Sequence, residues 1–65
     1  MTIKEKIELK IYSLKEERKE LSFLLKHFQK NDYHFEYSRV ARDMDWINKQ
    51  IQFLDEELIQ EYYAN

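Results

Sequence analysis

Apolar residues recur along the chain in two ladders of the same rhythm. The first runs Ile7, Ile11, Leu14, Arg18, Leu21, Leu25, Phe28. The second runs Tyr37, Val40, Met44, Ile47, Ile51, Leu54, Leu58. Steps of three and four alternate in both, which places each set on one stripe of an α-helix. Between them lies Gln29-Lys30-Asn31-Asp32-Tyr33-His34, the one stretch with turn character. The pattern predicts an all-α fold, an antiparallel two-helix hairpin packed in coiled-coil fashion. A single domain is expected over residues 1–65, with the first helix over about 2–29, the turn at about 30–33 and the second helix over about 34–62.

Local chemistry supports these limits. Thr2-Ile3-Lys4-Glu5 has capping-box spacing, in which the hydroxyl and the carboxylate each satisfy a free amide of the first turn. Asn31 or Asp32 is the expected N-cap of the second helix, with Ser38 as a rival, because short polar side chains accept from first-turn N–H groups. A loop this short makes the helices antiparallel neighbours. Centring the turn on Asp32–Tyr33 sets Leu25 opposite Val40, Leu21 opposite Met44, Leu14 opposite Ile51 and Ile7 opposite Leu58, with Arg18 facing Ile47.

Composition narrows the possible chemistry. The 65 residues include no glycine, proline or cysteine. Glycine-rich phosphate loops are therefore excluded, since they need backbone without Cβ close to the phosphate. Disulfides and thiolate metal sites are excluded as well. A chain this short buries little surface and needs a staple. Regular helix packing and oligomerisation are the ones left, so pairing of hairpins into a four-helix bundle is expected. No apolar run is long enough to span a membrane, no signal-peptide core is present, and a cytoplasmic location is expected.

Charge is near balance at −2 but uneven. Residues 1–30 carry 8 Lys/Arg and 5 Asp/Glu, and residues 31–65 carry 3 and 8. Antiparallel pairing sets the acidic segment Asp55-Glu56-Glu57…Glu61 beside Lys4, Lys6 and Lys10.

Two features stand out as candidate sites. Arg18 interrupts an apolar ladder. Such a residue either fixes register or oligomeric state, or packs its stem and extends its guanidinium to a nearby carboxylate. On the second helix Phe35, Arg39, Arg42, Trp46, Lys49 and Phe53 fall on one outer stripe, roughly 120° from the core stripe at 100° per residue. It holds all three cations of that helix and the only Trp of the chain. Aromatic residues and arginine dominate the energetic centres of interfaces, so this stripe is the expected interface with a partner or a second copy. Leu9, Tyr12 and Phe23 on the back of the first helix, and Ile59, Tyr62 and Tyr63 near the end of the second, are sparser apolar positions.

No catalytic constellation is visible. A bare hairpin offers no cleft to shift carboxylate pKa values, and Ser13, Ser22 and Ser38 have no base at convincing spacing. His27 and His34 flank the turn and read as solvated loop residues rather than metal ligands. No cofactor is implied. Lys15, Lys19, Lys26 and Lys30 form a basic streak on the first helix, diluted by Glu16, Glu17 and Glu20. In length and architecture, without a shared motif, the chain is similar to small RNA-binding hairpins that dimerise into four-helix bundles. The negative net charge argues against nucleic acid as the main partner.

Ala41-Arg42-Asp43-Met44-Asp45-Trp46-Ile47 resembles a degenerate form of the Ser-Gln-Glu-Leu-Asp motif of the small sporulation-control aspartyl-phosphate phosphatases. Leu14-Lys15-Glu16-Glu17-Arg18-Lys19-Glu20-Leu21 is similar to the first helix of that family. The resemblance covers about half of the chain. It implies docking on a response regulator, with Asp43 and Asp45 as the acidic matches, while Ala41 and Arg42 stand where the family has its polar pair. From the residues themselves, the expected function is a small non-enzymatic regulator or inhibitor that binds another protein through helix faces, of the kind phages also encode.

Overall fold

The computed structural model describes residues 1–63 and contains two α-helices, α1 (Ile3–Lys30) and α2 (His34–Tyr63), packed against each other. Lys, Glu and Leu fill α1 and favour helix without support from packing. Thr2 caps it, accepting the Glu5 N–H at 3.1 Å. The reciprocal half of the capping box is not made: the Thr2 hydroxyl donates to the Glu5 carboxylate at 3.2 Å.

The turn corrects the expectation that Asn31 or Asp32 caps α2. Both residues finish α1. Tyr33 N–H donates to the Phe28 carbonyl at 2.9 Å and Asp32 N–H to the Gln29 carbonyl at 3.3 Å. These are the paired bonds of a Schellman ending, which needs a left-handed residue at its centre. Asp32 takes that role with φ 58° in a chain that has no glycine to offer. Asn31 turns its amide back onto the His27 carbonyl at 2.8 Å. The Phe28 and Tyr33 rings meet edge-on at 6.1 Å, the apolar contact that accompanies this motif. The position before α2 is then Tyr33, whose carbonyl takes the Tyr37 N–H at 2.9 Å.

Both ladders form the seam, with one exception. Ile7, Ile11 and Leu14 of α1 close against Ile47 and Ile51 of α2, and Leu21, Leu54 and Leu58 pack onto this cluster. Ile47 and Ile51 are the best-covered residues, at 4% and 5% exposed. Toward the turn Leu25, Phe28, Val40 and Met44 are half-buried, and Tyr37, beside the loop in the first turn of α2, stays exposed. Two contacts across the helices fix the register. Arg18 meets Asn48 at 2.9 Å, and the Lys4 ammonium lies 3.9 Å from the Tyr62 ring centroid. Lys4 to Arg18 and Asn48 to Tyr62 are equal steps of two heptads, so one alignment satisfies both. It lies within one residue of the expected alignment, which set Arg18 opposite Ile47, Leu14 opposite Ile51 and Ile7 opposite Leu58.

The result is a rod of 51 × 17 × 11 Å with a radius of gyration of 15.0 Å. A globular chain of this length would have a radius of about 11 Å. Two helices side by side can cover only one stripe of each.

Candidate functional site

The outer stripe of α2 is open along its whole length. Phe35 is 70% exposed, Trp46 63% and Phe53 58%, and Arg39, Arg42 and Lys49 lie exposed between them. One rigid helix carries all six, so their spacing is set by the helix and not by a loop. Lys49 is held by Asp45 one turn earlier, at 3.1 Å. An exposed pair of this kind contributes no more than about 0.5 kcal/mol, but it neutralises one of the three cations. Arg39 and Arg42 have no such pair among the described residues.

Arg18 combines parts of its two expected roles. Its stem is half-buried in the ladder, and its guanidinium crosses to α2, where Nη1 donates to Asn48 Oδ1 at 2.9 Å. The acceptor is an amide rather than the Glu or Asp expected, so the bond orients the guanidinium without cancelling its charge.

That head group opens into a cleft of about 390 Å³ on the face opposite the Leu24 side of the hairpin. Lys15, Lys19, Ser22 and Lys26 of α1 line it with Arg18, and Phe23 and Met44 complete it. The expected basic streak is thereby joined by Arg18, while Lys30 falls outside the lining. The sequence reading missed this grouping because Arg18 belongs by periodicity to the core stripe. On the other face Leu24, Phe28, Val40 and Asp43 border a shallower groove of about 250 Å³ with Glu36 and Arg39.

Asp43 and Asp45 of the phosphatase-like segment are two positions apart, about 200° around the helix. They point to different sides: Asp43 borders the Leu24 groove, and Asp45 holds Lys49. His27 pairs with Asn31, Nδ1 to Nδ2 at 3.4 Å, and its ring lies 6.5 Å from that of Tyr33. No group of three His, Asp or Glu that could hold a metal occurs among the described residues, nor does a helix long and apolar enough to cross a membrane.

No protein-family model, curated protein or solved structure matches the chain.

Proposed function

We propose that this chain is a non-enzymatic helical hairpin that pairs with a second copy through the outer stripe of α2, as a four-helix bundle, and acts by binding another protein. The observation that carries the reading is uncovered surface. A compact chain of 8.2 kDa exposes roughly 4500 Å², whereas this one exposes 5567 Å². The surplus of about 1000 Å² is close to what one partner contributes to a standard stable interface, about 800 Å².

The stripe is also self-complementary. A two-fold axis beside Met44, with the two α2 helices antiparallel, sets Phe35 of one copy opposite Phe53 of the other. The same axis sets Arg42 opposite Trp46. Every such pair occurs twice. The first is an aromatic pair, worth about 0.5–1.5 kcal/mol beyond its buried area. The second is a cation over an indole face. Arg39 then meets Lys49, a like-charge pair that Asp45 softens by its bond to Lys49. The faces left open in such a dimer would serve a protein target as a regulator or inhibitor.

Light scattering after size exclusion, over a wide concentration range, tests the pairing. The wild-type chain is expected at twice 8.2 kDa. Trp46→Ala combined with Phe53→Ala is expected at the monomer mass with its helicity retained, because both rings are exposed and outside the core. A wild-type monomer at all concentrations, or an unchanged mass in the double variant, would overturn the assignment.

A further inference from the structure

We infer that the cleft lined by Lys15, Arg18, Lys19, Ser22 and Lys26 is a binding site for single-stranded nucleic acid. This site lies on α1 and on the seam, away from the outer stripe, and does not depend on dimerisation. Four cations line the cleft and no carboxylate does. Among the described residues the one ion pair is Lys49–Asp45, so none of the four is neutralised within the hairpin. The acidic neighbours Glu16, Glu17 and Glu20, which dilute the streak in the sequence, are not in its lining. The net charge of the chain therefore understates the potential at this site.

The donors form a line. Lys15, Lys19, Ser22 and Lys26 follow one another at steps of four, three and four along one helix face, a distance of about 16 Å. Arg18 stands beside that line with its guanidinium already oriented by Asn48, which leaves the remaining N–H groups free for a phosphate oxygen. The Ser22 hydroxyl adds a neutral donor between Lys19 and Lys26. A phosphodiester strand offers anionic oxygens at regular intervals along such a line.

Phe23 decides between a nucleic acid strand and an acidic peptide. Its ring is 66% exposed at the edge of the cleft. An aromatic face beside a cationic groove is what unpaired bases stack on. An acidic peptide would need apolar pockets for its other side chains, and here Met44 is the only further apolar lining. One line of cations on one helix also suits a single strand better than the two backbones of a duplex.

The test uses fluorescence anisotropy of a labelled 12-nucleotide oligouridylate with the full chain. Binding is expected at 50 mM salt, weakening with a log–log slope of about −2 to −3, since each phosphate neutralised on a single strand contributes about −0.7. Lys15→Ala, Lys19→Ala and Lys26→Ala combined should weaken binding at least tenfold while circular dichroism stays helical, because alanine favours helix and the three sites are exposed. Phe23→Ala should cost about tenfold with little change in salt slope, the signature of lost stacking. Lys6→Ala with Lys10→Ala, exposed and outside both the cleft and the outer stripe, should leave affinity within twofold. Absence of binding at 50 mM salt, or equal competition by poly-glutamate or pyrophosphate at matched charge, would overturn the inference. Either result would leave the mass seen by light scattering untouched.

Discussion

Arg18 and Asn48 are joined across the seam by a 2.9 Å hydrogen bond between their side chains. It sits just beyond the Ile7–Leu14 cluster, where the packing passes from buried to half-buried. A charged donor to a neutral amide is worth about 1.5–3 kcal/mol when desolvated. Asn48 is exposed, so the lower part of that range or less applies. Arg18→Leu would continue the apolar ladder and bury more carbon in place of a half-buried charge. We expect Arg18→Leu to raise the free energy of unfolding measured in urea and Asn48→Ala to lower it by about 1 kcal/mol. Asn48→Ala in the Arg18→Leu background should cost almost nothing. An equal cost of Asn48→Ala in both backgrounds would show that the bond contributes nothing to stability.

Asp32 carries the conformational strain of the turn. Its φ of 58° lies in the left-handed region, where a side chain with Cβ is disfavoured and Asp is tolerated better than most. The Schellman bonds from Asp32 and Tyr33 require this geometry. Asp32→Gly should therefore stabilise the hairpin, by about 0.5–1 kcal/mol after allowing for the extra freedom of glycine in the unfolded chain. Asp32→Val should destabilise it by more than that, since a β-branched residue resists positive φ. Thermal unfolding of the three chains side by side checks the order Gly, Asp, Val. A wild type less stable than Asp32→Val would contradict the geometry.

These two residues also mark where sequence reasoning stops. The seam was legible because a strict alternation of three and four leaves one way to bury Ile7, Ile11, Leu14, Ile47 and Ile51 together. The register followed from the short loop. The turn was legible in place but not in kind: with no glycine to flag the left-handed residue, Asp32 looked like a cap for the helix after it rather than the end of the helix before it. The outer stripe could be drawn from 100° steps, and its exposure follows because a two-helix rod has nothing to lay over it. The basic cleft could not be drawn that way. Arg18 belongs to the core stripe by period, yet it reaches Asn48 across the seam and lines the same cleft as Lys15 and Lys19. Nor does anything in the pattern single out Asn48 from the other polar residues of α2.

Lys4 and Tyr62 close the far end of the rod, with the ammonium 3.9 Å from the ring centroid. The Lys4 pKa is raised above its ordinary 10.5, chiefly by hydrogen bonding with the Tyr62 phenol; desolvation, the next largest effect, opposes this, and the charges of Tyr62, Glu8 and Glu5 each add a smaller upward contribution. A raised folded-state pKa means that the protonated form is favoured in the folded chain. Its contribution is fully present below pH 10.5 and is lost as pH rises through the higher folded value. Tyr62→Phe keeps the ring and removes the hydroxyl, so the Lys4 pKa should fall back toward 10.5 while the cation stays over an aromatic face. Tyr62→Leu removes both interactions and should bring it lower still, leaving the pull of Glu8 and Glu5. Titration of the Lys4 side chain by carbon-detected NMR reads this directly. A Lys4 pKa that is the same in all three chains would mean that the two residues do not meet in solution, and that α2 frays before Tyr62.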